Sequence, residues 1–157
     1  MASWQFDLYL IPKERLVALV GTYPIAISRE LFENTAWWEG GAAPNVLEAD
    51  LASFLPGTKS WSSDIAVWGE ENGNRIDVLY EGDEIIEIFV RIDLRQRDRR
   101  FVVDLIRFAK NHETVLLTTN MRVLEPTLNN LIKAMEESDA HLFVNDLKGF
   151  LESLDPE

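Results

Sequence analysis

Three strand-like runs between residues 64 and 95 constrain the fold of this chain most strongly. Apolar and polar residues alternate in each run, and the runs are separated by the turn signals Glu70–Gly73 and Glu81–Asp83. Alternation with a period of two is typical of half-buried strands, and short turns containing glycine join neighbouring antiparallel strands. The pattern therefore predicts an antiparallel β-meander over about 64–95.

The hydrophobic pattern also predicts the register of this meander. Directly opposed residues share a face of a sheet, so placing the apolar sets together fixes the parity of both loops. The parity predicts a four-residue loop at Glu70–Gly73 and a three-residue loop at Glu81–Asp83. The residues expected on the core face are Ile65, Val67, Ile76, Val78, Tyr80, Ile86, Ile88, Val90, Ile92 and Leu94.

The segments before the meander carry a mixed signal. Alternation from Trp4 to Ile11 predicts a strand that ends at Pro12. Between residues 13 and 62 the pattern is weaker, and Ser28 and Asn45 are expected to cap two short helices.

After the meander, the pattern alternates between helix and strand. Apolar residues at helical spacing predict a helix over about 98–110, and Thr114–Thr119 reads as a buried strand that can pair with Met121–Leu124. Pro126 suits the first turn of a further helix, and a last helix is expected after a cap at Asn145 or Asp146.

These elements predict an α+β fold: a mostly antiparallel sheet with a central β-meander (about 64–95), a crossover helix (about 98–110) and two C-terminal helices packed alongside. The sequence contains no internal repeat, linker or low-complexity tract, which favours a single domain over residues 1–157.

The net charge of the chain limits the classes of partner that we expect. The chain has 27 acidic and 15 basic side chains, a formal net charge of −12. Such a chain repels nucleic-acid phosphates and anionic membrane surfaces, so we expect a basic protein as partner and neither nucleic acid nor a membrane.

The sequence lacks two features, cysteine and any targeting or membrane-spanning segment, that would indicate particular chemistry or a particular cellular compartment. The chain has no cysteine, which excludes thiolate chemistry and agrees with a reducing compartment. The N-terminal residues lack the pattern of a signal peptide and no apolar stretch is long enough to cross a bilayer, so we expect a cytoplasmic protein.

The polar face of the meander carries the first candidate site. In the predicted register Arg75 lies between Trp68 and Phe89, as a cation held by two rings. The alternative is that Trp37, Trp38 and the N-terminal third of the chain fold over this face as a second small core. The candidate partner-binding residues are Trp68, Arg75, Asp77, Leu79, Ile85, Glu87 and Phe89.

Two of these residues form a candidate carboxylate pair. The same register places Asp77 opposite Glu87, where the pair could hold a metal ion or a partner's Lys or Arg, or act as a general acid with a raised pKa. The alternative is two solvated carboxylates that lean apart, or one that is paired with Arg75 or Arg91.

A second candidate site follows the meander. Residues 64–87 hold eight acids and one arginine, whereas residues 88–110 hold seven bases and three acids. Four of these bases, Arg95, Arg97, Arg99 and Arg100, gather at the start of the predicted helix, where free N–H groups favour an anion. They predict an anion-binding site, with pairing to acids of the same chain as the alternative.

Motifs for catalysis, metal binding or a cofactor are missing from the sequence: none of the zinc-protease, nucleophile-elbow or phosphate-loop spacings occurs. Three functions remain open. The first is a non-catalytic protein-binding module of the inhibitor or immunity type, which presents an acidic aromatic face to a basic partner. The second is a small-molecule or anion-binding domain at Arg95–Arg100, and the third is a carboxylate-based enzyme. A homodimer is compatible with all three.

Overall fold

The computed structural model describes residues 4–41, 43–60, 62–96 and 98–138. Within these residues the chain forms seven strands and five helices, an α+β fold. The strands are β1 (Gln5–Pro12), β2 (Gly57–Thr58), β3 (Ile65–Gly69), β4 (Arg75–Glu81), β5 (Glu84–Asp93), β6 (Thr114–Thr118) and β7 (Val123–Leu124). The helices are α1 (Lys13–Val20), α2 (Arg29–Glu33), α3 (Pro44–Phe54), α4 (Arg99–Asn111) and α5 (Leu128–Glu137).

All seven strands belong to one sheet of order β2-β3-β4-β5-β1-β6-β7, and every neighbouring pair is antiparallel. The meander and the pairing of β6 with β7 are confirmed. β1 lies between β5 and β6, which therefore run parallel to each other, and α4 is the crossover that connects them. Strand β1 thus lies in the interior of the sheet, next to its middle strand β5.

One face of the sheet, the inner face, is covered by helices. Alternate residues of the central strands are fully buried on it, and the Tyr80 hydroxyl donates a hydrogen bond to Glu48 of α3. α3 in turn packs on α4, where the rings of Phe54 and Phe108 lie 6.0 Å apart. The fully buried residues of the inner face include Leu8, Leu10, Ile76, Val78, Ile88 and Val90.

The predicted register of the meander is wrong in both hairpins. Trp68 pairs with Ile76 instead of Arg75, and Asp77 pairs with Phe89 instead of Glu87. The first loop has five residues, closed by a hydrogen bond from Glu70 N to Asn74 O of 2.9 Å. Only glycine fits at position 69, the residue before this loop. A Cβ on Gly69 would lie 2.3 Å from Asn74 O, and its φ of +109° is one that other residues rarely adopt.

The second hairpin differs because it contains a β-bulge. The register shifts between Leu79 and Tyr80, so the turn has two residues, Gly82 and Asp83. As a result Ile85 is buried and Ile86 is 46% exposed, the reverse of the prediction. In the first hairpin the slip of one residue moves Trp68 to the inner face and Val67 to the opposite face.

The predicted helix starts are confirmed at α2 and α4 and corrected at α3. The Ser28 hydroxyl accepts from Leu31 N, and the Asp98 carboxylate accepts from Phe101 N. α3 begins at Pro44 with Ala43 as N-cap, so Asn45 lies inside the helix. Of the two predicted C-terminal helices, α5 is present, and the cap at Asn145 or Asp146 lies outside the described residues.

None of the described helices combines the length and the apolar character that crossing a membrane requires.

Candidate functional site

The other face of the sheet, the outer face, is partly covered by the chain between α2 and α3. The Phe32 ring lies 4.7 Å from Tyr9 of β1 and 6.4 Å from Trp37, and Tyr9 also contacts Phe89 of β5 at 5.4 Å. Trp37 and Trp38 are both buried. The alternative in which these tryptophans fold over the face is therefore correct where β1 meets β5.

A pocket of about 570 Å³ lies between this covering segment and the outer face. We call it the acidic pocket. Four aromatic and five acidic residues line it, and no lysine or arginine in the described part of the chain does so. The aromatic residues are Tyr9, Phe32, Trp37 and Trp38, and the acidic residues are Glu33, Glu39, Glu81, Glu84 and Glu87.

The aromatic wall is held in place by hydrogen bonds to the backbone. Trp37 Nε1 donates to Phe32 O at 3.0 Å, and Trp38 Nε1 donates to Leu10 O at 3.2 Å. Thr35 Oγ1 donates to Leu31 O at 2.6 Å, which ties the connecting residues back to α2. Because both indoles are buried and bonded, the pocket is formed before any ligand arrives.

Glu87 is the half-buried carboxylate of this pocket, whereas Glu33, Glu39, Glu81 and Glu84 are exposed around it. Burial raises the pKa of Glu87, and no described residue donates a hydrogen bond or forms an ion pair to it. The pKa of the neighbouring Tyr9 hydroxyl is raised by burial first and by the charge of Glu87 second. Both groups are thus available to a ligand that brings hydrogen-bond donors.

A second set of charges on the outer face is paired within the protein. Arg91 Nε lies 3.1 Å from Asp7 Oδ1, and Arg75 Nη2 lies 3.1 Å from Asp77 Oδ2. We call these four residues the ion-pair cluster. Burial raises the pKa of Asp77, and the charges of Arg75 and Arg91 only partly offset it. Asp77 Oδ1 and Arg75 Nε are buried without a partner among the described residues, so the cluster is not fully satisfied.

The predicted partner-binding residues divide between these regions. Leu79, Ile85 and Glu87 line the acidic pocket. Arg75 and Asp77 belong to the ion-pair cluster, and Phe89 packs on Tyr9 next to it.

The predicted cation between two rings and the predicted carboxylate pair are both wrong. Trp68 packs on the inner face, so Arg75 does not lie between it and Phe89. Glu87 pairs with Leu79, so Asp77 and Glu87 do not face each other. Both errors follow from the shifts in register described above.

The predicted anion site at the start of α4 is largely occupied by the protein itself. Arg95 binds Asp93 through two N–H groups, at 3.0 and 2.8 Å, and its guanidinium lies 3.9 Å from the Trp4 ring centre. Asp98 caps the helix, so its carboxylate already occupies the place of an anion.

Arg99 and Arg100 lie in the first turn of α4. Arg99 is the first residue of α4 and is exposed. Arg100 is 92% exposed and lies 3.8 Å from Asp104. Arg97 lies outside the described residues.

His112, the histidine within the described residues, contacts a carboxylate of α3. His112 Nε2 lies 2.7 Å from Asp50 Oδ2, and Arg107 contacts Asp50 Oδ1 at 3.1 Å. Ser53 Oγ approaches Asp50 at 3.4 Å and not the imidazole, which is not the arrangement of a nucleophile and its base. The contacts join α3 to α4. No group of three or more potential metal ligands comes together in the described ranges.

Sequence reasoning missed the role of Phe32, Glu33 and Glu39, which form the outer wall of the acidic pocket with the two tryptophans. The segment 32–39 mixes aromatic and acidic residues as the polar face of the meander does. This shared composition is the feature of the sequence from which the segment could have been recognised as part of the site.

Comparison with protein-family models, with curated proteins and with solved structures gave no match for this chain. The proposals below therefore rest on the geometry.

Proposed function

We propose that this chain is a non-catalytic protein-binding module of the inhibitor or immunity type, and that its acidic pocket receives a cationic side chain of a basic partner. The observation that carries the proposal is the environment of the Glu87 carboxylate. Glu87 is a half-buried carboxylate that no described residue neutralises, in a preformed pocket lined by four other glutamates. A buried charge without a partner is costly, and a partner's cation removes that cost on binding.

The charge of the whole chain supports the same proposal. A net charge of −12 accelerates the encounter with a basic protein and disfavours nucleic acid and anionic membranes. The aromatic residues around the carboxylates add apolar contact area of the kind that is enriched at binding hot spots.

The other candidate functions have less support. The anion-binding alternative relied on Arg95–Arg100, where Arg95 is already bound to Asp93 and stacked on Trp4. The carboxylate enzyme relied on Asp77 and Glu87 as an opposed pair, and they do not face each other. A small basic molecule bound in the acidic pocket is the second candidate, because about 570 Å³ is within the usual range of ligand pockets.

The test is a pull-down at low salt from a native extract, followed by titration of the recovered protein. Three baits are compared: wild type, Glu87→Gln, and Glu136→Gln as a control. Glu136 is an exposed glutamate of α5 outside the pocket, so the control removes the same charge elsewhere.

We expect a basic protein that binds wild type and the control equally. Its affinity for Glu87→Gln should be lower by about tenfold, the value for about 1.4 kcal/mol. Equal binding to all three baits would place the interface elsewhere, and recovery of no basic protein would favour the small-molecule candidate.

A further inference from the structure

Three arginines of this protein share one arrangement. Each guanidinium contacts a carboxylate on one side and an aromatic ring on another. Arg91 binds Asp7 and lies 5.7 Å from the Phe89 ring centre, and Arg107 binds Asp50 and lies 5.3 Å from the Phe54 ring centre. Arg95 binds Asp93 through two N–H groups and stacks on Trp4.

The carboxylates in these three sites are shielded from water. The side-chain exposures of Asp93, Asp7 and Asp50 are 1%, 4% and 18%. Lys13 provides the contrast, since it contacts the Tyr23 ring and Glu125, and the side chain of that glutamate is 47% exposed. Among the described residues, these three shielded carboxylates are all paired with arginine, whereas the exposed carboxylates Glu125 and Glu137 are paired with lysine and arginine respectively.

The acidic pocket contains the same two components without the cation. Glu87 is a half-buried carboxylate, and Tyr9 and Phe32 are half-buried rings of the same pocket. Tyr9 pairs with Phe89, so its side chain lies diagonally next to that of Glu87 on the outer face. No guanidinium or ammonium group of the described chain lines the pocket.

We infer that the acidic pocket is a receptor for an arginine side chain of the partner protein, with the guanidinium bound to Glu87 and stacked on the aromatic wall. This inference rests on the proposed function and names the side chain that the pocket selects.

Physical chemistry favours arginine over lysine at this place. A guanidinium offers five N–H donors in one plane, which match the two oxygens of Glu87 and the hydroxyl of Tyr9. It is less strongly hydrated than an ammonium group and stacks on aromatic faces, so entry into a half-buried aromatic pocket costs it less. A lysine ammonium would keep its charge attraction but lose more hydration.

The test uses two peptides that differ only in their cations, glycine-spaced sequences with three arginines or three lysines. A third peptide replaces arginine by citrulline, which has nearly the same shape and no charge. Binding to the 157-residue chain is followed by isothermal titration calorimetry. Changes in the amide resonances of residues 32–39 and 84–88 show whether the pocket is the site.

We expect the arginine peptide to bind about tenfold more tightly than the lysine peptide, which corresponds to about 1.4 kcal/mol, and the citrulline peptide not to bind. Glu87→Gln should remove most of the preference for arginine, and Glu136→Gln should leave it unchanged. Tyr9→Phe keeps the ring, removes one acceptor and should reduce the preference by less.

The results separate this inference from the proposed function. Equal binding of both cationic peptides, with a loss in Glu87→Gln, overturns the selectivity for arginine and leaves a cation-binding pocket. No binding of either peptide counts against the proposed function as well. Tighter binding of free agmatine, a small guanidine, than of the arginine peptide would overturn the assignment to a protein side chain.

Discussion

The ion-pair cluster and the acidic pocket lie on the same face of the sheet, two residues apart along β4 and four along β5, yet their charges are arranged in opposite ways. In the cluster, Asp7 and Asp77 each have an arginine at 3.1 Å. In the pocket, Glu87 is half-buried and no described residue supplies a cation to pair with its carboxylate. Paired charges hold strands together, whereas an unpaired half-buried charge lowers stability. Under the proposed function, a partner's cation removes that cost, so the comparison contrasts charges that are paired within the protein with a charge that is open to pairing with a ligand.

The largest effect is expected from breaking the Asp7–Arg91 pair. Asp7 is 4% exposed, so Asp7→Ala leaves a shielded arginine without its carboxylate and should lower the free energy of unfolding by about 3 kcal/mol. Urea denaturation followed by circular dichroism measures this loss.

A double variant sharpens this test. Asp7→Leu with Arg91→Met replaces the pair by apolar side chains and should recover most of the lost stability, because desolvation of the charges is removed with them. Stability as low as that of Asp7→Ala would show that packing, and not the unpaired charge, causes the loss.

The next effect concerns Asp50, a paired carboxylate between α3 and α4. Burial tends to raise the pKa of Asp50, but hydrogen bonds from His112 and Arg107 outweigh it, so the pKa is lowered from its usual 3.8. The stabilisation from this lowered pKa is present above about 3.8 and is lost as the pH falls through the folded-state value. Asp50→Asn should cost about 2 kcal/mol at pH 7.

The pH dependence decides whether ionisation of Asp50 is the cause. The difference in stability between wild type and Asp50→Asn should shrink below about pH 3.8, measured by thermal or urea unfolding at each pH. A difference that does not change with pH would assign the effect to packing between the helices.

Glu87 should behave in the opposite way to Asp50. Its pKa is raised from 4.5, so its favourable contribution is complete below about pH 4.5 and is lost as the pH rises through the folded-state pKa. Glu87→Gln should therefore stabilise the free protein at pH 7, by about 0.5–1 kcal/mol.

This gain in stability should accompany the loss of partner affinity proposed above. The free energy of unfolding of wild type and of Glu87→Gln is measured across pH 4–8. The difference between these two values at each pH reports on Glu87 alone, because the other glutamates around the pocket are the same in both proteins. A destabilised Glu87→Gln would mean that the carboxylate has a structural partner and would argue against its role as a binding group.

The smallest effect is expected at Arg100, whose side chain is 92% exposed. Arg100→Gln should change the free energy of unfolding by less than about 0.5 kcal/mol and leave the affinity for the arginine peptide unchanged. Loss of affinity for inorganic phosphate in this variant, measured by calorimetry, would revive the anion-binding alternative at the start of α4.

Local patterns predicted much of the fold. The alternation from Trp4 to Ile11 identified β1, and helical spacing identified α4 within one residue at each end. Ser28 was recognisable as a cap because a cap depends only on residues three positions apart.

The candidate site was predicted only in part, because it depends on register and on a distant segment. Glu87, Leu79 and Ile85 were expected in a binding surface and do line the acidic pocket. Trp68 was placed on the wrong face, since a slip of one residue inverts every side chain of a strand. The wall formed by Phe32, Trp37 and Trp38 requires a contact with β1, a strand more than 20 residues earlier in the chain.

The sequence alone therefore determined most of the strands and helices outside residues 13–62, since periodicity and caps act over a few neighbouring residues. The tertiary structure decided the insertion of β1 between β5 and β6, the bulge at Leu79 and Tyr80, and the closure of the acidic pocket. These features depend on pairing and burial between residues far apart in the chain, where alternatives that differ by one residue satisfy the local pattern almost equally well.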